Sequence, residues 1–182
     1  MSGAFNTQSM NRRYRHFCPY LAGAIAETCR EMTISDFGAG IGFYVNYLRA
    51  VGCWAIGYDG TPDISDQTDG VVQYADLSKP AMLPITNAVI SIEVGEHIPQ
   101  QYESAFIDNL CRHATNVIIV SWARIGQRGR NHVNCQNPET LIPKFEERLW
   151  ALDWPCTELS RMMAGKPWDS KLLIMRRKGV IG

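Results

Sequence analysis

Two stretches of this chain hold side chains that can move a proton or grip an ion. The first is Glu93-Val94-Gly95-Glu96-His97-Ile98-Pro99, with two carboxylates and an imidazole close together. The second runs from Trp122 to Asn134 and holds Arg124, Arg128, Arg130 and His132. Two chemistries are open to these residues. His97 or His132, with Glu96 nearby, can act as the general base for a hydroxyl. Alternatively, Glu93, Glu96, His97 and His132 can bind a divalent cation that holds two substrate oxygens and acidifies one. Such an oxygen-and-imidazole set suits Mg²⁺ or Mn²⁺ more than a soft metal. The arginines suit a polar or anionic substrate, so Trp122, Arg124 and Arg128 are candidate substrate contacts. A solvated basic loop would have the same composition.

A third stretch supplies a ligand cradle. Thr33-Ile34-Ser35-Asp36-Phe37-Gly38-Ala39-Gly40-Ile41-Gly42 is a β-prone run that ends in an acid and three alternating glycines. An apolar helical pattern follows: Phe43, Val45, Leu48, Val51. Strand, glycine turn and helix bring backbone close to an adenosine-type ligand. The third glycine of a dinucleotide fingerprint would fall at Phe43, so that match fails. The Gly-Lys-Ser/Thr of a phosphate-cradling loop is absent. About twenty residues on, Asp59-Gly60 sits where a carboxylate accepts from both hydroxyls of a ribose. A plain Asp-Gly turn is the alternative.

The elements that carry these residues alternate. A helix is expected from Arg12 to Glu31, then strands at Met32–Asp36, Trp54–Tyr58, Val71–Tyr74, Asn87–Ile92 and Val117–Ser121. Helices are expected after the glycine turn, from Gln100 to His113 and from Pro138 to Leu152, the last with Leu149 and Trp150 inward. Two final β-prone runs, Cys156–Leu159 and Lys171–Met175, show no convincing helix between them. This alternation predicts a Rossmann-like, doubly wound α/β fold with a mostly parallel sheet and helices on both faces. Both chemical stretches leave the carboxyl edge of that sheet, where such folds bind ligands.

Composition sets outer bounds. At 182 residues the chain suits one domain over 1–182, with residues 1–11 a loose polar arm. Formal net charge is zero, which argues against a general nucleic-acid binder. No apolar run reaches membrane-spanning length and no signal-peptide layout opens the chain, so a cytoplasmic protein is expected. Six scattered cysteines without a C-x-x-C pair read as reduced thiols. A monomer or homodimer is expected, and the basic loop with its two histidines points to a small-molecule or glycan acceptor.

Taken together, the motifs resemble those of the class I S-adenosylmethionine-dependent methyltransferases. The resemblance rests on Asp36-x-Gly38-x-Gly40-x-Gly42, Asp59-Gly60, Asp76 after the third strand, and Glu93-Val94-x-Glu96-His97-Ile98-Pro99, in the family's order. It implies a seven-stranded sheet whose last strand is antiparallel. It also implies S-adenosylmethionine as cofactor and S-adenosylhomocysteine as product. The implied cofactor contacts are Asp36, Gly38, Ala39, Gly40, Gly42, Asp59, Gly60, Asp76, Leu77 and Glu93. Asp76 would accept from the adenine amino group while Leu77 flanks the ring, although Asp76 also suits a helix N-cap. Glu93-x-x-Glu96-His97 is similar to the metal motif of ubiquinone-pathway O-methyltransferases. It is similar too to that of the small-RNA 3′-terminal 2′-O-methyltransferases, whose later histidine His132 would match. Other family members carry the same residues without a metal, and there Glu93 backs the cofactor pocket. The expected activity is O-methylation of a sugar or other polar hydroxyl. An RNA ribose 2′-O-methyltransferase and a non-catalytic cofactor-fold module are the alternatives.

Overall fold

The computed structural model describes residues 17–179, and the arm expected at residues 1–11 lies outside them. Among the described residues the first helix, α1, spans Pro19–Thr28, so it ends short of the expected Glu31, and positions 12–16 of the helix expected from Arg12 lie outside the described residues. Pro19 occupies its first turn, where a proline is pre-set for helix and its missing N–H costs nothing. Cys18 caps it, its Sγ accepting from Leu21 N at 3.4 Å.

The strands are β1 (Thr33–Phe37), β2 (Trp54–Asp59), β3 (Val72–Tyr74), β4 (Thr86–Ile92), β5 (Ala114–Ser121), β6 (Trp150–Leu152) and β7 (Leu172–Arg177). They form one sheet in the order β3-β2-β1-β4-β5-β7-β6. The pairs from β3 to β5 are parallel, and β7 runs antiparallel to both β5 and β6. The remaining helices are α2 (Phe43–Ala50), α3 (Ile64–Gln67), α4 (Glu103–His113), α5 (Pro138–Glu146) and α6 (Trp154–Ala164).

Strand side chains alternate faces, so each central strand feeds two cores. In β5, Ile118 and Val120 join Phe106, Leu110, Phe145 and Trp150 on the α4/α5 side. Val117 and Ile119 join Leu21, Ile25, Val45 and Leu48 on the α1/α2 side. Strands buried on both faces read as continuous apolar runs, which is why β4 and β5 were legible.

The C-terminal third departs from expectation. The helix over Pro138–Leu152 ends at Glu146; Leu149 is exposed at φ 65°, and Trp150 starts β6. The run Cys156–Leu159, expected as a strand, lies inside helix α6. The buried positions of α6 are Thr157, Ser160, Arg161 and Ala164. They keep helical spacing but carry no large apolar side chain, while Leu159, Met162 and Met163 face outward. Hydropathy therefore pointed the wrong way. What starts the helix is Asp153: its Oδ1 accepts from Cys156 N at 3.1 Å and its Oδ2 from Arg176 Nε at 3.0 Å. Asp153→Ala removes the cap and the tie to β7. The expected loss is about 1–2 kcal/mol in urea unfolding with the m value unchanged.

Candidate functional site

The glycine turn follows β1. Gly38, Gly40 and Gly42 all have left-handed backbones, with φ of 87°, 57° and 82°, which a side chain would strain. The amides of Gly38 and Ala39 donate to Tyr58 O at 2.7 and 3.0 Å, fastening the turn to the end of β2. Asp59 fastens it again: Oδ2 accepts from Gly40 N at 2.8 Å, and Oδ1 from Thr61 N and Oγ1 at 2.9 and 2.7 Å. Each carboxylate oxygen has two lone pairs, so these bonds leave Asp59 with capacity toward a ligand. Gly60 lies between Asp59 and Thr61 in the same bend.

Asp36 lies at the base of the turn, 2 % exposed, and its Oδ2 has no hydrogen-bond partner among the described residues. Burial, and then the charge of Asp59, push its carboxyl up to about 8. A buried carboxylate oxygen without a donor asks for one from a ligand. Asp76, in contrast, is committed locally. Its Oδ1 accepts from Ser78 N and Oγ at 3.1 and 2.5 Å, and its Oδ2 pairs with Lys79 at 2.9 Å. Burial alone would raise its pKa, but these bonds outweigh it and hold the group low. An adenine amino group would have to share that carboxylate with Ser78 and Lys79. Leu77 beside it is buried in the α4/α5 core.

Beyond β4 the chain makes a 3₁₀ turn, Gly95–His97. It brings Glu96, His97 and His132 together, with one ligand atom of each within 4.8 Å of the others. The two imidazoles meet edge to face, centroids 5.1 Å apart. His97 Nδ1 lies 3.0 Å from Asn131 O. A carbonyl only accepts, so that nitrogen carries the proton and the lone pair is on Nε2. Glu96 is fully buried, and no hydrogen bond of ordinary geometry reaches either carboxylate oxygen among the described residues, although the amides of Glu96 and Ala123 lie near enough to offset part of the burial. Burial, and then Glu93, push it up to about 8. The fourth expected ligand, Glu93, is engaged elsewhere. Its Oε1 accepts from Ser121 Oγ at 2.9 Å, and its Oε2 pairs with Lys171.

The arginine-rich segment is fastened at its two ends. Val133 N and Asn134 N donate to Glu96 O at 2.9 and 3.1 Å, and Gln136 N donates to Ala123 O at 2.9 Å. Asn134 Nδ2 and Gln136 Nε2 each donate to Glu103 Oε2 at 2.8 Å, and Lys144 pairs with the same carboxylate. Trp122, expected to meet substrate, is a correction. It is 1 % exposed, its Nε1 donates to Asn134 O at 2.6 Å, and its ring packs on Phe106. An apolar ring with its one donor satisfied belongs to the core. Arg124 is half-buried and Arg128 exposed on the rim above. Glu103, Ser121 and Lys171 were missed in the sequence. Glu103 opens a helix, Ser121 ends a strand and Lys171 is a lone cation before β7, so none stands in a motif.

No protein-family model matches the chain, and no curated protein matches its sequence. Solved structures share its fold. Magnesium protoporphyrin IX methyltransferase from Synechocystis PCC 6803, solved with bound SAH, aligns at TM-score 0.68 and 16% identity, over 98% of this chain and 90% of that one. The sugar N-methyltransferase KedS8 from Streptoalloteichus sp ATCC 53650 aligns at TM-score 0.75 and 12% identity, over 96% and 94%. The methyltransferase domain of bacterial CtHen1-C aligns at TM-score 0.64 and 14% identity, over 89% and 98%. The chain therefore has the Rossmann-like fold of the class I S-adenosylmethionine-dependent methyltransferases.

Two outcomes follow from this geometry. A folded-state pKa near 8 for Asp36, against an ordinary 3.8, means that its burial is tolerated at low pH and costs stability progressively as pH rises between those values. Asp36→Asn should match the parent's melting temperature near pH 4. It should exceed it at pH 8 by about 3 °C or more, the shift that roughly 1 kcal/mol gives in a chain of this size. At Gly95, an added Cβ would lie 2.3 Å from the Trp122 ring. Gly95→Ala should cost about 1–3 kcal/mol by displacing that ring, read from urea unfolding and tryptophan fluorescence.

Proposed function

We propose that this protein is an S-adenosylmethionine-dependent methyltransferase acting on a hydroxyl oxygen of a polar acceptor, a sugar or glycan first. The observation that supports it is one sheet edge carrying both an acid-floored glycine turn and the Glu96–His97–His132 cluster. Asp59 would accept from the ribose hydroxyls, and Asp36 Oδ2 from the cofactor's ammonium group. The backbone at Gly38, Ala39, Gly40 and Gly42 would line the methionine end, with Gly60, Asp76 and Leu77 toward adenine. When bound, the cofactor would supply a methyl carbon on a sulfonium, which the acceptor oxygen would take as the C–S pair returned to sulfur, leaving the thioether S-adenosylhomocysteine. His97 or His132 would take the hydroxyl proton. Arg124 and Arg128 would orient an anionic acceptor from the rim.

A second reading is favoured by the two unpartnered oxygens of buried Glu96. With the His97 lone pair on Nε2, they fit a divalent cation, Mg²⁺ or Mn²⁺, which would acidify the acceptor hydroxyl. An RNA ribose acceptor is disfavoured by the zero net charge. No helix among the described residues is long and apolar enough to cross a membrane. A cytoplasmic monomer or homodimer is part of the proposal.

Calorimetric titration with S-adenosylmethionine tests it. Micromolar binding is expected, weakened at least ~10-fold in Asp59→Ala, about the loss of one charge-assisted hydrogen bond. Turnover should follow with sugars or phenols, and its dependence on salt should be shallow. A steep fall with salt would point to RNA. Failure of the intact protein to bind S-adenosylmethionine would overturn the proposal.

A further inference from the structure

We infer that Lys171 is a positioning residue that removes Glu93 from the ion cluster. A divalent cation there is held by three protein ligands, Glu96, His97 and His132, with its other positions open to acceptor oxygens. This deepens the metal reading above and rests on it.

Glu93 and Glu96 leave the same turn, yet they live in opposite circumstances. Both oxygens of Glu93 are engaged, one by Ser121 Oγ and one by the Lys171 ammonium. Ser121 Oγ also accepts from Glu93 N at 2.9 Å, so side chain and backbone are held by one hydroxyl. Lys171 is only 4 % exposed, and its ammonium sits 4.8 Å from the centroid of the Trp168 ring. A lysine so enclosed has no route to water that keeps its charge solvated. It must keep its carboxylate. Glu93 also has φ 58°, a left-handed backbone for a residue with a side chain, and the contacts to Ser121 and Lys171 hold it there.

Charge matching gives the same division. Lys171 balances Glu93 in the buried layer, and a divalent cation balances Glu96 with two neutral imidazoles. Were Glu93 to turn to the cation, the buried ammonium would be stranded beside it, a costly arrangement. Mg²⁺ and Mn²⁺ take about six ligands, so three from protein leave about three for oxygens. That vacancy suits an acceptor offering two adjacent oxygens, such as a vicinal diol.

The test is Mn²⁺ alone, titrated into the full chain and followed by loss of the free-ion EPR signal. Glu96→Gln and His132→Ala should each weaken Mn²⁺ binding at least ~10-fold. The double variant Glu93→Gln/Lys171→Met removes both members of the buried pair and so leaves no stranded charge; it should bind Mn²⁺ within ~3-fold of the parent. Lys171→Met alone frees Glu93 to become a fourth ligand and should tighten Mn²⁺ binding, while Lys171→Arg should leave it unchanged. A double variant that loses as much affinity as Glu96→Gln would put Glu93 on the ion and overturn the inference while the metal reading stands. A parent protein that binds no Mn²⁺ would overturn both.

Discussion

Negative charge withdrawn from water is the constraint on which this molecule's working edge depends. Asp36 at the end of β1 and Glu96 in the turn beyond β4 lie at or near full burial, and Glu93 just after β4 is mostly covered. An ionised carboxylate in such a place is expensive unless something answers it. The three are answered differently. Glu93 has an ammonium and a hydroxyl. Asp36 and Glu96 each keep oxygens that no described residue satisfies. Unsatisfied acceptors at the carboxyl edge of a parallel sheet are where a cationic ligand gains most, because the protein has already borne the desolvation.

The rest of the edge is built to keep those acids still. Asp59 and the Tyr58 carbonyl hold the glycine turn against β2. Beyond β5, the basic segment is held at both ends. The Trp122 indole lies beneath it, the Glu96 carbonyl receives two of its amides, and Glu103 binds two of its amide side chains. His132 is held by its own ring, whose Nδ1 lies 3.3 Å from Gln127 O, and by the anchored amides of Val133 and Asn134 that follow it. The in-line transfer proposed above would call for a wall held in this way, since the attacking atom must be held close and aligned.

Strands β4 and β5 were legible because burial on both faces writes a continuous apolar run, and glycine or acid marks the ends of β1, β2 and β4. Part of the candidate site was legible from position: Asp36, Asp59, Glu96 and His97 sit at or just beyond strand ends, and His132 lies in the segment that follows β5. What lay hidden were residues whose partners are distant in sequence. Lys171 reaches Glu93, and Lys144 and Asn134 reach Glu103, through a topology that spacing does not encode. Trp122 was misassigned because its position at a strand exit is shared by contact residues and by core residues alike; only the fit against Gly95 separates them. Helix α6 was misread because its inner face is threonine, serine, arginine and alanine. A face that packs by small size and hydrogen bonding, with Arg161 Nε donating to Leu172 O at 2.9 Å, leaves no hydrophobic period.

The strand order has a consequence for the order of events as the chain is made. β7 lies between β5 and β6, although β5 is synthesised before α5, β6 and α6, and β7 after them. Until β7 arrives, one side of β5 stays open and the hydrogen-bonding row of a central, apolar strand faces outward. Lys171 comes with that same late segment. Glu93 thus gains its ammonium from the same late segment that fills the gap beside β5, so closing the sheet and pairing this carboxylate are tied to one piece of chain.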